Sequence, residues 1–218
     1  MNAAPPPEAE PSPLLSVSGL SCVRRGRTLF SGLGFSLPAG RWARVTGRNG
    51  KGKTSLLRIL AGLIVPESGE IRWRGRDIHE ERPAFVRELC FLGHLPGIKG
   101  ELTPWENLQV ARCLSGGEAR LDTDQALAEV GLAGLEDVPV RTLSAGQQRR
   151  VGLARLLVSG ALLWVMDEPF TSLDREGIAL VRSLVARHLE AGGLAVITTH
   201  HEMELDGKAP LDIDLGWD

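Results

Sequence analysis

The segment Gly47-Arg48-Asn49-Gly50-Lys51-Gly52-Lys53-Thr54-Ser55 decides the fold. From Gly47 to Thr54 it fits the pattern G-x-x-x-x-G-K-[ST]. A strand is expected before it at Trp42–Thr46, and an apolar helix after it at Ser55–Leu63. The glycines let backbone N–H groups turn inward around a β-phosphate, where a side chain would clash. The following helix points its positive end at the same oxygens. Lys53 is then the point charge for the β- and γ-phosphates, and the Thr54 hydroxyl a magnesium ligand. A glycine turn with a chance lysine does not account for this pattern between a strand and a helix, so the segment predicts nucleotide binding.

Two further clusters lie downstream. Leu162-Leu-Trp-Val-Met-Asp167-Glu168 reads as a buried strand that delivers two carboxylates to the carboxyl edge of a sheet. Asp167 would hold magnesium, and Glu168 would polarise the water that attacks a γ-phosphate. The plainer alternative is a strand stopped at an acidic turn before Pro169. Leu143-Ser144-Ala145-Gly146-Gln147 opens an apolar helix, with Ser144 and Gln147 forming a capping box. That box does not explain Gly146, a poor helix former, whose lack of a side chain would let a phosphate approach the backbone.

The composition agrees with a globular nucleotide-binding domain. The chain has 218 residues, 43% hydrophobic, enough for a sizeable core. Its 27 acidic and 25 basic side chains give a net charge of −2, and there is no tyrosine for a base-stacking platform. No nucleic-acid partner is expected. Cys22, Cys90 and Cys113 are dispersed without disulfide-framework or metal-ligand spacing, as in a reduced cytoplasmic protein. The longest apolar stretch, Leu156–Met166, is interrupted by Ser159 and Gly160 and falls short of the roughly 18 residues that span a bilayer.

Alternating strand and helix signals predict an α/β layered fold. Short strands are expected at Leu14–Val17, Leu33–Leu37, Ile71–Trp73, within Val86–Leu92, at Leu162–Met166 and at Leu194–Thr198. Residues 93–142 change character to polar helices, one starting at Thr103-Pro-Trp-Glu106 with a cap, a proline and a capping-box glutamate in order. The expected organisation is a proline-rich disordered tail (1–13), one nucleotide-binding domain (14–205) and a C-terminal tail (206–218). Within the domain, a core of about 14–92 and 143–205 carries a helical subdomain at about 93–142.

Taken in order, the phosphate loop, Leu143–Gln147, Asp167-Glu168, Ser172-Leu-Asp174 and Thr198-Thr-His200 resemble the nucleotide-binding subunits of ABC transporters, over about Leu14 to Glu202. The resemblance implies a P-loop NTPase fold with a RecA-like core, a small antiparallel β region and a helical insert. It implies ATP and Mg2+ as ligands. It also implies a homodimer in which Leu143–Gln147 act on the partner's ATP, Asp174 communicates across the interface, and His200 contacts the γ-phosphate and holds Glu168 and the water. Glu168, His200 and Lys53 would be catalytic, Gly47–Ser55 would bind ATP, and Thr54 and Asp167 would bind Mg2+.

Leu92-Gly-His-Leu-Pro-Gly-Ile-Lys99 with Glu101–Leu108 looks like the ATP-binding proteins of c-type cytochrome maturation, the haem exporter class. That implies integral membrane subunits of a cytochrome c maturation complex as partners, a peripheral place on the cytoplasmic side of the bacterial inner membrane, and hydrolysis coupled to haem export or to release of a haem-loaded chaperone. His94 is read as a loop hydrogen bonder rather than a haem ligand. Three positions depart from the family pattern. Leu95 stands where a magnesium-binding glutamine is usual. No aromatic lies between Val17 and Leu29 to stack on adenine, although Arg24 or Arg25 could supply a guanidinium. Lys51 replaces a small residue. Two other functions stay open: the ATPase of another small-molecule exporter, and, from Leu95, a slowly hydrolysing ATP-dependent switch.

Overall fold

The computed structural model describes residues 12–115, 121–200, 203, 205 and 207–216. Most of the expected N-terminal tail, residues 1–11, lies outside them. Two sheets form the frame. An antiparallel one has the order β2-β1-β4-β5, from β1 (Leu15–Arg24), β2 (Arg27–Leu37), β4 (Ser68–Trp73) and β5 (Arg76–Asp77). A parallel one has the order β6-β7-β8-β3-β9, from β3 (Trp42–Thr46), β6 (Leu89–Leu92), β7 (Leu163–Asp167), β8 (Leu194–Thr198) and β9 (Leu211–Asp214). The helices are α1 (Lys53–Leu60), α2 (Arg82–Arg87), α3 (Pro104–Leu114), α4 (Thr123–Glu129), α5 (Ala145–Val158) and α6 (Arg175–Glu190).

The central strands are buried along their whole length, which is why they read as continuous apolar runs. Successive side chains on a strand point to opposite faces. Leu163 and Val165 of β7, Leu194 and Val196 of β8, and Ala43 and Val45 of β3 pack with Leu56, Leu57, Ile59 and Leu60 of α1 and with the antiparallel sheet. Trp164 and Met166, Ala195 and Ile197, and Trp42 face the other way, into a core shared with α5, α6 and the α3–α4 region. Each of those α1 side chains contributes about 1.5–3 kcal/mol by burial, which anchors the phosphate loop to the sheet.

Between β6 and α5 the described residues form α3, α4 and one 3₁₀ turn at Val140–Thr142, with no strand. Thr103 caps α3 in the expected reciprocal box with Glu106, and Asn107 holds the preceding loop through the backbone of Lys99 and Thr103.

Several boundaries differ from the sequence expectation. β1 and β2 are far longer than Leu14–Val17 and Leu33–Leu37, because their cross-strand pairing continues through polar residues to Arg24↔Arg27. The strand expected within Val86–Leu92 occupies Leu89–Leu92, and α2 (Arg82–Arg87) takes the residues before it. The segment expected as a C-terminal tail contributes β9, which pairs with β3 and buries Ile213.

Candidate nucleotide site

Gly52 is the N-cap of α1 at φ 102°, a left-handed conformation that only glycine adopts without strain, and a Cβ there would lie 3.0 Å from Leu29 Cβ. The first intrahelical bond is donated by Leu56 to Gly52 O at 2.8 Å. The N–H groups of Lys53, Thr54 and Ser55 therefore precede the helical ladder and remain for a ligand. Lys53 Nζ donates to Gly47 O at 2.7 Å, folding the lysine back along the loop. A cavity of about 510 Å³ opens here, lined by Arg48, Asn49, Gly50, Gly52, Lys53, Thr54 and Ser55 on one side and by His94, Asp167, Glu168, Thr171 and His200 on the other. Gly47 and Lys51 belong to the same turn without lining the cavity. A Cβ on Gly47 would meet Leu215 Cβ at 3.3 Å, and one on Gly216 would lie 3.9 Å from Lys51 Nζ, so the segment after β9 backs the loop.

Asp167 ends β7 at 3% exposure. Its Oδ2 accepts the Thr54 hydroxyl at 2.8 Å and its Oδ1 the Thr198 hydroxyl at 2.7 Å. The Thr54 hydroxyl and Asp167 carboxylate are hard oxygen donors of the kind that magnesium takes, so the pair fits that ion. Glu168 stands at φ 48°, a left-handed conformation that costs a non-glycine residue about 1–2 kcal/mol. Its N–H donates to Thr198 Oγ1 at 2.9 Å, and its carbonyl accepts from Arg149 Nη2 at 2.7 Å. The turn re-aims the carboxylate into the cavity. There Oε1 lies 3.4 Å from His200 Nε2 but accepts no hydrogen bond from any described residue.

Arg149 is the residue that the sequence reading left without a role. At 3% exposure, it donates to the carbonyls of Pro169, Gly93, His94, Asp167 and Glu168, which ties the end of β6 to the end of β7. Burial lowers its pKa, opposed by the charges of Asp167 and Glu168. Helical spacing signals the role: Gly152, Leu153 and Leu156, at three, four and seven residues along α5, are all buried on the same side.

The remaining predicted residues lie apart from the cavity. Ser144 caps α5 in a reciprocal box with Gln147, and none of residues 143–147 lines the chain's own cavity. A Cβ on Gly146 would lie 3.0 Å from Ser172 O, so close packing accounts for this glycine without a ligand. Asp174 caps α6 through Gly177 N at 2.8 Å and lies 3.4 Å from Arg150 Nη2. Leu95 is 79% exposed and outside the cavity, whereas its neighbour His94 lines it.

Lys53 at the start of α1 and the Glu168–His200 pair line one cavity at the carboxyl edge of a parallel sheet. That is the site of a P-loop nucleotide-binding domain. Residues 30–171 match the family described as ABC transporter.

Among curated proteins, the chain is 53% identical to the cytochrome c biogenesis ATP-binding export protein CcmA of Methylococcus capsulatus, over 88% of this chain and 94% of that one. It is 47% identical to the protein of that name in Escherichia coli K12, over 88% and 91% of the two chains, and 47% identical to that of Nitrosococcus oceani, over 92% of each. Among solved structures, an ATP-binding subunit of an ABC transporter superposes with a TM-score of 0.76 at 24% identity, covering 86% of this chain and 79% of that one. An ATP-binding cassette in its ADP conformation superposes with a TM-score of 0.72 at 21% identity, over 87% and 82%. The chain belongs to the ABC transporter ATP-binding family, among the CcmA-type proteins, and is an ATPase. Among the described residues no helix is long and apolar enough to cross a membrane, and the family works with membrane subunits.

Proposed function

We propose that this chain is the ATP-hydrolysing subunit of the ABC-type membrane complex of c-type cytochrome biogenesis, acting peripherally at the cytoplasmic face of the inner membrane. The observation that carries this reading is identity of 47–53% to CcmA proteins across most of the chain, together with a cavity that holds Lys53, Asp167, Glu168 and His200. That identity favours cytochrome c biogenesis over another exporter's cargo. Coupling of hydrolysis to haem export or to release of a haem-loaded chaperone belongs to the same proposal.

In this reading, Gly47–Ser55 bind the phosphates through backbone N–H groups and Lys53. Thr54 and Asp167 would hold Mg2+, which neutralises phosphate charge when bound. Glu168 takes a proton from the attacking water as its oxygen bonds to the γ-phosphorus and the bond to the β,γ-bridging oxygen breaks, giving ADP and phosphate. His200, 3.4 Å from Glu168 Oε1, keeps that carboxylate and the γ-phosphate in register. Because residues 143–147 stay out of the chain's own cavity while Ser144 and Ala145 are exposed, a second copy supplying them to the nucleotide accounts for their chemistry. Asp174, exposed beside Arg150, would communicate across that interface.

In this proposal α3 and α4 belong to a helical subdomain at about 93–142, within an ATPase domain that begins at about residue 14. A groove lined by Leu63, Val86, Phe91, Ala111, Leu114 and Arg155 separates it from the core and fits an apolar segment of a membrane subunit.

The test is haem staining of c-type cytochromes in a bacterium lacking this chain, complemented with wild type or Glu168→Gln. Covalent haem restored by wild type alone is expected; normal cytochromes in the deletion strain would overturn the pathway.

A further inference from the structure

The sequence reading made His94 a loop hydrogen bonder and noted Leu95 where a magnesium-binding glutamine is usual. In the structure His94 lines the cavity and Leu95 does not. β7 lies between β6 and β8, so the catalytic carboxylate is flanked by the ends of two neighbouring strands. On the β8 side is His200, 3.4 Å from Glu168 Oε1. On the β6 side, Leu92 is paired with Met166; two residues further on stand His94 on one strand end and Glu168 on the other.

Arg149 holds both backbones at this level, accepted by His94 O at 3.2 Å and Glu168 O at 2.7 Å. His94 is itself an exposed residue, but it lines the same cavity as Lys53, Thr54, Asp167, Glu168 and His200, and its side chain donates no hydrogen bond to any described residue. Leu95 takes the solvent side at 79% exposure. An imidazole at the rim of a phosphate-binding cavity, on a backbone fixed by a buried guanidinium, is a donor placed within reach of an anionic ligand.

We propose that His94 is a contact for the terminal phosphate, so that the site distinguishes a nucleoside triphosphate from a diphosphate through two imidazoles, His94 and His200, on opposite sides of Glu168. His94 then supplies from position 94 the side-chain hydrogen bond that Leu95 lacks. The inference rests on the nucleotide reading of this cavity. The α- and β-phosphates belong to the loop and the start of α1, so removing His94 acts on the γ-phosphate alone.

The experiment is titration calorimetry of the full chain with ADP and with the non-hydrolysable triphosphate AMP-PNP, both with Mg2+, for wild type, His94→Ala and His94→Asn. His94→Ala is expected to weaken AMP-PNP about tenfold, equivalent to ~1.4 kcal/mol, and to leave ADP unchanged. His94→Asn, which keeps an N–H donor, is expected to recover part of the loss. An equal loss for both nucleotides would mean that the residue only shapes the loop, and no loss for either would mean no contact; both overturn the proposal. Wild-type protein that binds neither nucleotide would instead refute the nucleotide reading itself, and the proposal with it.

Discussion

Replacing Arg149 by methionine tests how the site is held together. The guanidinium makes five hydrogen bonds, all to backbone carbonyls, and none of the five acceptors is on its own helix. Charge-assisted bonds of this type are worth about 1.5–3 kcal/mol each taken singly. Their sum overstates the effect, because burying the cation carries its own cost, the same desolvation that lowers its pKa. Methionine fills much of the volume but leaves those buried carbonyls without their donor. A net loss of about 3–5 kcal/mol follows, a large share of the roughly 5–15 kcal/mol that stabilises a domain.

Urea unfolding followed by circular dichroism reads this as a lower midpoint at unchanged slope. Arg149→Lys separates stability from function. An ammonium has three donors on a flexible stem and cannot span the carbonyls at the ends of β6 and β7 as the planar fork does. Lysine is therefore expected to fold, bind ATP and hydrolyse it slowly, with Glu168 and His94 no longer fixed relative to each other. A methionine variant with the wild-type urea midpoint would refute the reasoning, and so would a lysine variant with wild-type turnover.

Thr198→Val removes a hydroxyl from a fully buried position, leaving Asp167 Oδ1 without its donor and the Glu168 N–H with only the longer bond, 3.2 Å, to Thr198 O. A stability loss of about 1–3 kcal/mol is expected by thermal denaturation, together with a fall in turnover; unchanged values for both would contradict the role given to this threonine. Ile213→Ala is expected to cost about 2–5 kcal/mol, because Ile213 is 4% exposed in β9; an unaltered melting curve would return residues 211–214 to a tail outside the domain. Ser144→Ala removes the α5 cap, worth about 1 kcal/mol in urea unfolding, and also the hydroxyl offered to the partner's nucleotide. Its ATPase rate is therefore expected to fall further than helix stability accounts for, and a rate that tracks stability alone would leave Ser144 as a cap and nothing more.

The strands that lie in the centre of the sheet were legible because burial on both faces writes an apolar run into the sequence. Trp42–Thr46 and Leu194–Thr198 have the expected bounds, and Leu162–Met166 shifts by one residue to Leu163–Asp167. The caps at Thr103 and Ser144 were legible for a local reason, since both partners of each box lie within four residues. β9 was not: Leu-Asp-Ile-Asp alternates over only four positions, and its stability comes from pairing with β3, about 170 residues away in sequence, as the Arg44–Asp212 ion pair illustrates.

The site divides in the same way. The phosphate loop and the Asp167–Glu168 pair announce themselves by residue type and spacing. The anchor role of Arg149 and the place of His94 at the cavity depend on carbonyls and strand ends brought together by the tertiary fold, which no local pattern encodes. Gly146 is a related case, since its neighbour Ser172 O comes from the turn after β7.

The central claim, that Glu168 activates the water while the loop and Lys53 bind the nucleotide, is tested most directly by ATP binding and single-turnover hydrolysis of purified Glu168→Gln. The account predicts undiminished ATP affinity, an ATP-bound species of twice the mass of one chain in sedimentation, and hydrolysis reduced by about 10²–10⁴. Hydrolysis at the wild-type rate would contradict it and move the base elsewhere in the cavity.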